Sequence, residues 1–154
     1  MPRAERKYTL DTNLYVRGFR DADANGALEV FHTAFAPFEH LTAIVAQELR
    51  AGARTAAAAS ALQRNVFDPF ERRGRVLTPS YAAWKQAGAV LARLAVDEGL
   101  ELARVSKAFA NDVLLAATCR EAGVVLVTEN ERDFTRIAAV MAFQFAPPWP
   151  VPSS

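Results

Sequence analysis

Val124-Val125-Leu126-Val127-Thr128-Glu129-Asn130-Glu131-Arg132-Asp133-Phe134 holds the clearest strand of the chain and the turn that follows it. Val124 to Thr128 is almost wholly apolar and β-branched. That pattern suits a strand of a parallel sheet covered on both faces, because an antiparallel strand with one wet face would alternate. Gly123, just before it, suits the C′ position of a preceding helix, and Asn130, just after it, is placed to cap a short turn carrying Asp133.

Working outward, the same grammar recurs. Tyr8-Thr9-Leu10 reads as a short central strand ending at Asp11. Asn13 to Phe35 carries Leu28, Phe31 and Phe35 at helical spacing, with an interruption at Asp21-Ala22-Asp23. Leu41 to Val45 reads as a second strand passing into helix at Ala46-Gln47-Glu48-Leu49-Arg50-Ala51. Ala56 to Leu62 is helical, with a break expected at Asp68-Pro69. Thr78-Pro79-Ser80 starts a helix whose apolar face includes Trp84, Ala87, Leu91 and Leu94, with Gly99 ending it. Trp84 is therefore expected in the core. Asn111 is expected to cap a helix beginning at Asp112, and Phe143-Gln144-Phe145 reads as an edge strand. Strands alternating with helices, with no internal repeat or linker, argue for one α/β domain with a mostly parallel sheet. The domain is expected over residues 1–146, followed by a proline-rich tail over 147–154 that can be neither central strand nor helix.

Composition narrows the classes. With 154 residues, 51% of them hydrophobic, the chain can bury a single core. Eighteen basic residues oppose seventeen acidic ones, so global charge neither requires nor excludes a nucleic-acid partner. The lone Cys119 cannot form an internal disulfide and fits a buried thiol in a reducing cytoplasm. The charged segment from Met1 to Lys7 leads into a strand without the apolar region of a signal peptide. No apolar run approaches the roughly 20 residues of a membrane span. His32 and His40 lack metal-ligand spacing and read as structural.

Four acids fall at the ends of these elements: Asp11, Glu48, Asp112 and Asp133. In open α/β sheets, ligands sit at the carboxyl ends of strands. Asp11 ends the first strand, Asp133 lies just past the Val124–Thr128 strand, and Glu48 and Asp112 read as first-turn helix residues. Each alone has a structural use, as a turn cap or as a charge complementing a helix dipole. Together they suit a hard divalent cation such as Mg²⁺ or Mn²⁺.

The segments Leu10-Asp11-Thr12-Asn13, Glu48-Leu49-Arg50-Ala51-Gly52, Asn111-Asp112-Val113-Leu114-Leu115-Ala116-Ala117-Thr118 and Leu126 to Phe134 resemble, in order and spacing, those of PIN-domain ribonucleases. The likeness is greatest to the VapC-type toxins of bacterial toxin–antitoxin pairs. The resemblance implies a three-layer α/β domain with a five-stranded, mostly parallel sheet between helices. It also implies a Mg²⁺- or Mn²⁺-dependent endoribonuclease, a homodimer, and a cognate antitoxin that blocks the site. The family's acidic positions map onto Asp11, Glu48, Asp112 and Asp133. Asp11, Asp112 and Asp133 are expected to coordinate metal, and Glu48 to ligate it or to orient or deprotonate the attacking water. Thr12, Asn13, Thr128 and Asn130 are expected to support these acids or contact substrate.

Glu129 departs from the pattern, where many relatives carry a basic or neutral residue. The proline-rich tail is outside the pattern too. Arg17, Arg20, Arg50, Arg54, Lys85, Arg104 and Lys107, with the run Arg72-Arg73-Gly74-Arg75, are the cations available to RNA phosphates. Two alternatives remain. A non-catalytic RNA- or protein-binding PIN domain is one. A haloacid dehalogenase-like phosphatase is the other, and it is disfavoured because the second aspartate of that motif is replaced here by Asn13.

Overall fold

In the computed structural model, which describes residues 6–152, β1 (Tyr8–Leu10) lies at the centre of a five-stranded sheet. The other strands are β2 (Glu39–Thr42), β3 (Val76–Leu77), β4 (Val125–Val127) and β5 (Phe145–Ala146), in the order β3-β2-β1-β4-β5. Every pairing is parallel. Tyr8 stands beside Glu39 on one side and Val125 on the other. Leu10, Leu126 and Val127 are fully buried, as expected for strands covered on both faces. Residues 1–5 of the charged N-terminal segment and 153–154 of the tail lie outside the described residues.

Helices cover the sheet: α1 (Thr12–Arg20), α2 (Ala22–Phe35), α3 (Ala43–Gly52), α4 (Ala56–Leu62), α5 (Asp68–Arg72), α6 (Tyr81–Glu98), α7 (Lys107–Ala122) and α8 (Glu131–Ala138). The interruption at Asp21 is real: Asp21 closes α1 and its side chain caps α2. α1 and α2 then close tightly, because a Cβ on the buried Gly18 would stand 2.9 Å from Leu28 Cδ2. None of the described helices is long and apolar enough to cross a membrane.

Several boundaries differ from the sequence reading. β2 ends at Thr42, whose hydroxyl accepts from the Val45 amide and starts α3, so Ile44 and Val45 are helical. A strong cap overrode β-branched propensity there. Asp68-Pro69 does not break the chain's helical path. A π-type turn over Gln63–Phe67 leads into α5, where Pro69 occupies the first turn and needs no partner for its nitrogen. α7 begins at Lys107 under a Ser106 cap, so Asn111 and Asp112 are interior helix residues and not its start. β3 is only two residues long, too short to show a period, and sequence reading passed over it. The buried stripe of α6 is Ala83, Ala87, Val90 and Leu94, and Trp84 is 59% exposed beside it. Cys119 is buried and free, as expected. In the tail, Trp149 packs 5.3 Å from the Phe31 ring.

Candidate active site

Asp11 follows the last residue of β1, and its backbone amide continues the ladder by donating to Val127 O at 2.9 Å. Its carboxylate caps α1 by accepting from the Thr12 amide at 2.8 Å and takes the Thr128 hydroxyl at 2.6 Å. Thr128 is the residue after β4, so adjacent parallel strands deliver the two side chains to the same end of the sheet. The Thr128 hydroxyl also accepts from the Asn130 amide at 3.0 Å, which turns the chain into α8.

Asn130 joins the next two acids. Its side-chain amide donates to Asp112 Oδ2 at 3.3 Å and to Asp133 Oδ2 at 3.2 Å. Its own oxygen accepts from the Asp133 amide as the α8 cap. Glu48, in the middle of α3, accepts the Thr12 hydroxyl at 2.8 Å. Asp11, Glu48, Asp112 and Asp133 are thus connected through the side chains and backbone amides of three neutral residues, Thr12, Thr128 and Asn130. All four sequence-derived acids come together, from four different elements. Glu48 and Asp112 do so from helix interiors, so a dipole-complementing role at a first turn does not account for them.

Charge follows from this arrangement. Burial raises the Asp112 carboxyl to about 7, helped by the negative charges of Asp11, Glu48 and Asp133 in that order. Asp11 is raised by burial against the lowering effect of its bonds from Thr128 and Thr12. Glu48 is raised by burial and by Asp11, and lowered by Thr12 and by Asn111, a neighbour that the sequence reading used only as a helix cap. Among the described residues, none of the four is in an ion pair with lysine, arginine or histidine.

The donor set fits a hard divalent cation. It is all oxygen, it carries excess negative charge, and it lacks a protein counter-charge. The side-chain oxygen of Asn13, two residues after Asp11, is buried without a partner. Among the described residues, no three His, Cys, Asp or Glu side chains close on one point as a ready-made chelate, so the fit rests on donor type and charge.

The model of the PIN domain matches residues 8–140. The chain belongs to the PIN-domain family. Its fold is shared with solved structures of low sequence identity. A chain of the DNA-bound VapBC structure from Salmonella typhimurium superposes with a TM-score of 0.70 at 22% identity, covering 93% of this chain and 98% of that one. One from FitAcB of Neisseria gonorrhoeae gives 0.68 at 19% identity, covering 94% and 99%. One from a toxin–antitoxin complex of Klebsiella pneumoniae gives 0.61 at 19%, covering 94% and 100%. A search of curated proteins gives no significant match.

A second polar cluster of this PIN domain was not anticipated as a unit. Glu39 opens β2 and is 4% exposed, and its carboxylate meets His32 Nδ1 at 2.7 Å. Burial alone would lower the His32 pKa, but the bond to Glu39 and its charge raise it overall. The Tyr15 hydroxyl and Glu39 Oε1 are buried without partners. With Phe19, Arg64 and Arg73, these residues line a cavity of about 600 Å³ that none of the four acids borders. A sequence signal existed in His32 and Glu39 flanking one helix–strand connection, but seven residues apart they suggest no contact until the chain turns.

Proposed function

We propose that this PIN domain is a Mg²⁺- or Mn²⁺-dependent endoribonuclease acting as the toxin of a toxin–antitoxin pair. The observation that carries the reading is the cluster of Asp11, Glu48, Asp112 and Asp133 at the carboxyl ends of β1 and β4, without a protein counter-charge among the described residues. Relatives of this fold include chains from structures named as VapBC and as toxin–antitoxin complexes, which supports a cognate antitoxin. A homodimer and a cytoplasmic setting belong to the same reading, as does a nuclease domain over residues 1–146 with 147–154 as its tail.

Asp11, Asp112 and Asp133 would hold the cation. A divalent cation bound there supplies polarisation of water and stabilisation of the charge that develops in phosphodiester hydrolysis. The protein's own groups set the geometry. Thr128 and the Thr12 amide each use one oxygen of Asp11, which fixes its rotamer and leaves a lone pair on each oxygen. Asn130 spends both amide hydrogens on Asp112 and Asp133, keeping two like charges at a set separation. The Thr12 hydroxyl donates to Glu48 Oε1 and Asn111 also bonds this carboxylate, which orients Glu48 to position the attacking water or accept its proton. The raised pKa of Glu48 favours that proton transfer.

The test is incubation of the purified chain with total cellular RNA in Mg²⁺, Mn²⁺ or EDTA, beside Asp11→Asn. Discrete fragments that need both metal and Asp11 are expected, and their ends identify the target. Cleavage that persists in EDTA, or in Asp11→Asn, would overturn the reading.

A further inference from the structure

Arg17 and Glu129 form an ion pair that joins the two segments framing the acid cluster. Arg17 Nη1 lies 2.6 Å from Glu129 Oε1. Arg17 projects from α1, the helix that Asp11 caps, one turn beyond Asn13 and on the same side of it. Glu129 stands between Thr128 and Asn130, whose side chains hold Asp11, Asp112 and Asp133. Among the described residues this is the one ion pair that includes a residue of the 128–133 segment. The Arg17 side chain is 59% exposed, so an incoming anion can reach its guanidinium without unfolding anything.

We propose that Glu129 is a positioning residue that holds Arg17 at the rim of the site, and that a backbone phosphate of docking RNA takes Arg17 from it. An exposed pair of this kind is weak, whereas guanidinium and phosphate match in a bidentate, charge-assisted contact. The exchange therefore favours RNA, but only after the Glu129 contact is given up. Glu129 lowers affinity twice, by occupying Arg17 and by repelling phosphate. Beside the pair, Thr128, Glu129, Glu131, Phe145, Pro147 and Pro148 line a cavity of about 260 Å³. The tail thus forms one wall of the space beside this latch. The inference rests on the nuclease reading for its substrate, and its binding readout does not depend on cleavage.

The test compares the full-length chain with Glu129→Gln, Arg17→Gln and the double variant. Binding is read by anisotropy on fluorescein-labelled 12-nucleotide single-stranded RNA of randomised sequence, in EDTA. Turnover is read in Mn²⁺ on the same RNA with a quencher. Glu129→Gln is expected to lower Kd and KM about three- to fivefold, with kcat within about twofold, because Arg17 reaches the same phosphate without first leaving a partner. Arg17→Gln is expected to weaken binding, and Glu129→Gln to lose most of its effect in the Arg17→Gln background. Unchanged Kd and KM in Glu129→Gln would overturn the latch while leaving the nuclease reading intact. So would an equal effect with and without Arg17, since Glu129 would then act by its own charge alone. If the wild-type chain binds this RNA but does not cleave it, the binding pattern alone decides the latch. If no variant binds this RNA, the latch falls.

Discussion

Two buried carboxylates, Asp11 and Glu39, stand at opposite ends of neighbouring parallel strands and are handled in opposite ways. Glu39 opens β2 and meets a basic partner, His32. Asp11 follows β1 and receives only neutral donors, from Thr12 and Thr128, while Glu48 and Asp112 add like charge around it. Burying a charge is costly unless it is paired, so an internally compensated carboxylate can serve the fold alone. A cluster left negative is stable only with a proton or an external cation. The contrast separates the two acids by the charge of their partners, even though Asp11 at 6% and Glu39 at 4% exposure are equally buried.

The comparison breaks most easily at the level of activity. Asp112→Asn is expected to reduce metal-dependent RNA cleavage at least about a hundredfold, whereas Glu39→Gln is expected to leave kcat per folded molecule within about twofold. A comparable loss in both would show that the two acids are not functionally distinct. Circular dichroism of each variant separates lost chemistry from lost fold.

Stability against pH sharpens it next. Asp112 has a folded pKa of about 7, above its unfolded value. The folded chain therefore binds more protons between about pH 4 and pH 7, and stability falls as pH rises through that window. Millimolar Mn²⁺ is expected to raise the melting temperature by several degrees at pH 8 and by less at pH 5.5, where a proton competes. Asp112→Asn is expected to remove most of this difference. A metal response that is equal at the two pH values would sink the shared-charge account.

His32 moves with pH too, but independently of metal. A histidine whose folded pKa is raised stabilises the fold fully below its unfolded value of about 6.5, and that contribution is lost as pH rises through the folded pKa. His32→Gln is thus expected to cost about 1–2 kcal/mol at pH 5.5, measured by urea unfolding, and less at pH 9. Mn²⁺ should change neither number. The smallest effect is expected from Gly18→Ala, where the added methyl meets the movable end of Leu28. It should cost about 1 kcal/mol or less and leave both acid clusters working.

Much of this was legible in the chain before folding was considered. β4 announced itself because a strand buried on both faces must be apolar throughout, and Val124 to Val127 are buried as read. The Gly123 and Asn130 punctuation held, since left-handed and capping positions are local requirements. The four acids were singled out by the order and spacing they share with one family's segments, since each alone had a structural use and the first-turn settings read for Glu48 and Asp112 are not the ones observed. Thr12 and Thr128 could be named because they lie just past strands whose ends were clear.

Other features have no local signature. β3 exists because Val76 and Leu77 find Leu41 and Thr42 as ladder partners, and two residues cannot show a period. The starts of α3 and α7 were set by which nearby hydroxyl reached an amide, Thr42 and Ser106, over competing propensities. Trp84 fits an apolar stripe by spacing, yet the core takes Ala83 and Ala87 from that turn, a choice made by the neighbouring α7 surface. The sequence by itself determined the fold class and the central strands, because these follow from hydrophobic pattern and short-range hydrogen bonding. The tertiary structure alone decided that Asn130 would bridge Asp112 to Asp133, that Glu39 would find His32, and that Arg17 would reach Glu129. Those contacts join residues up to 112 positions apart in the chain, and only packing fixes which side chains come within reach of one another.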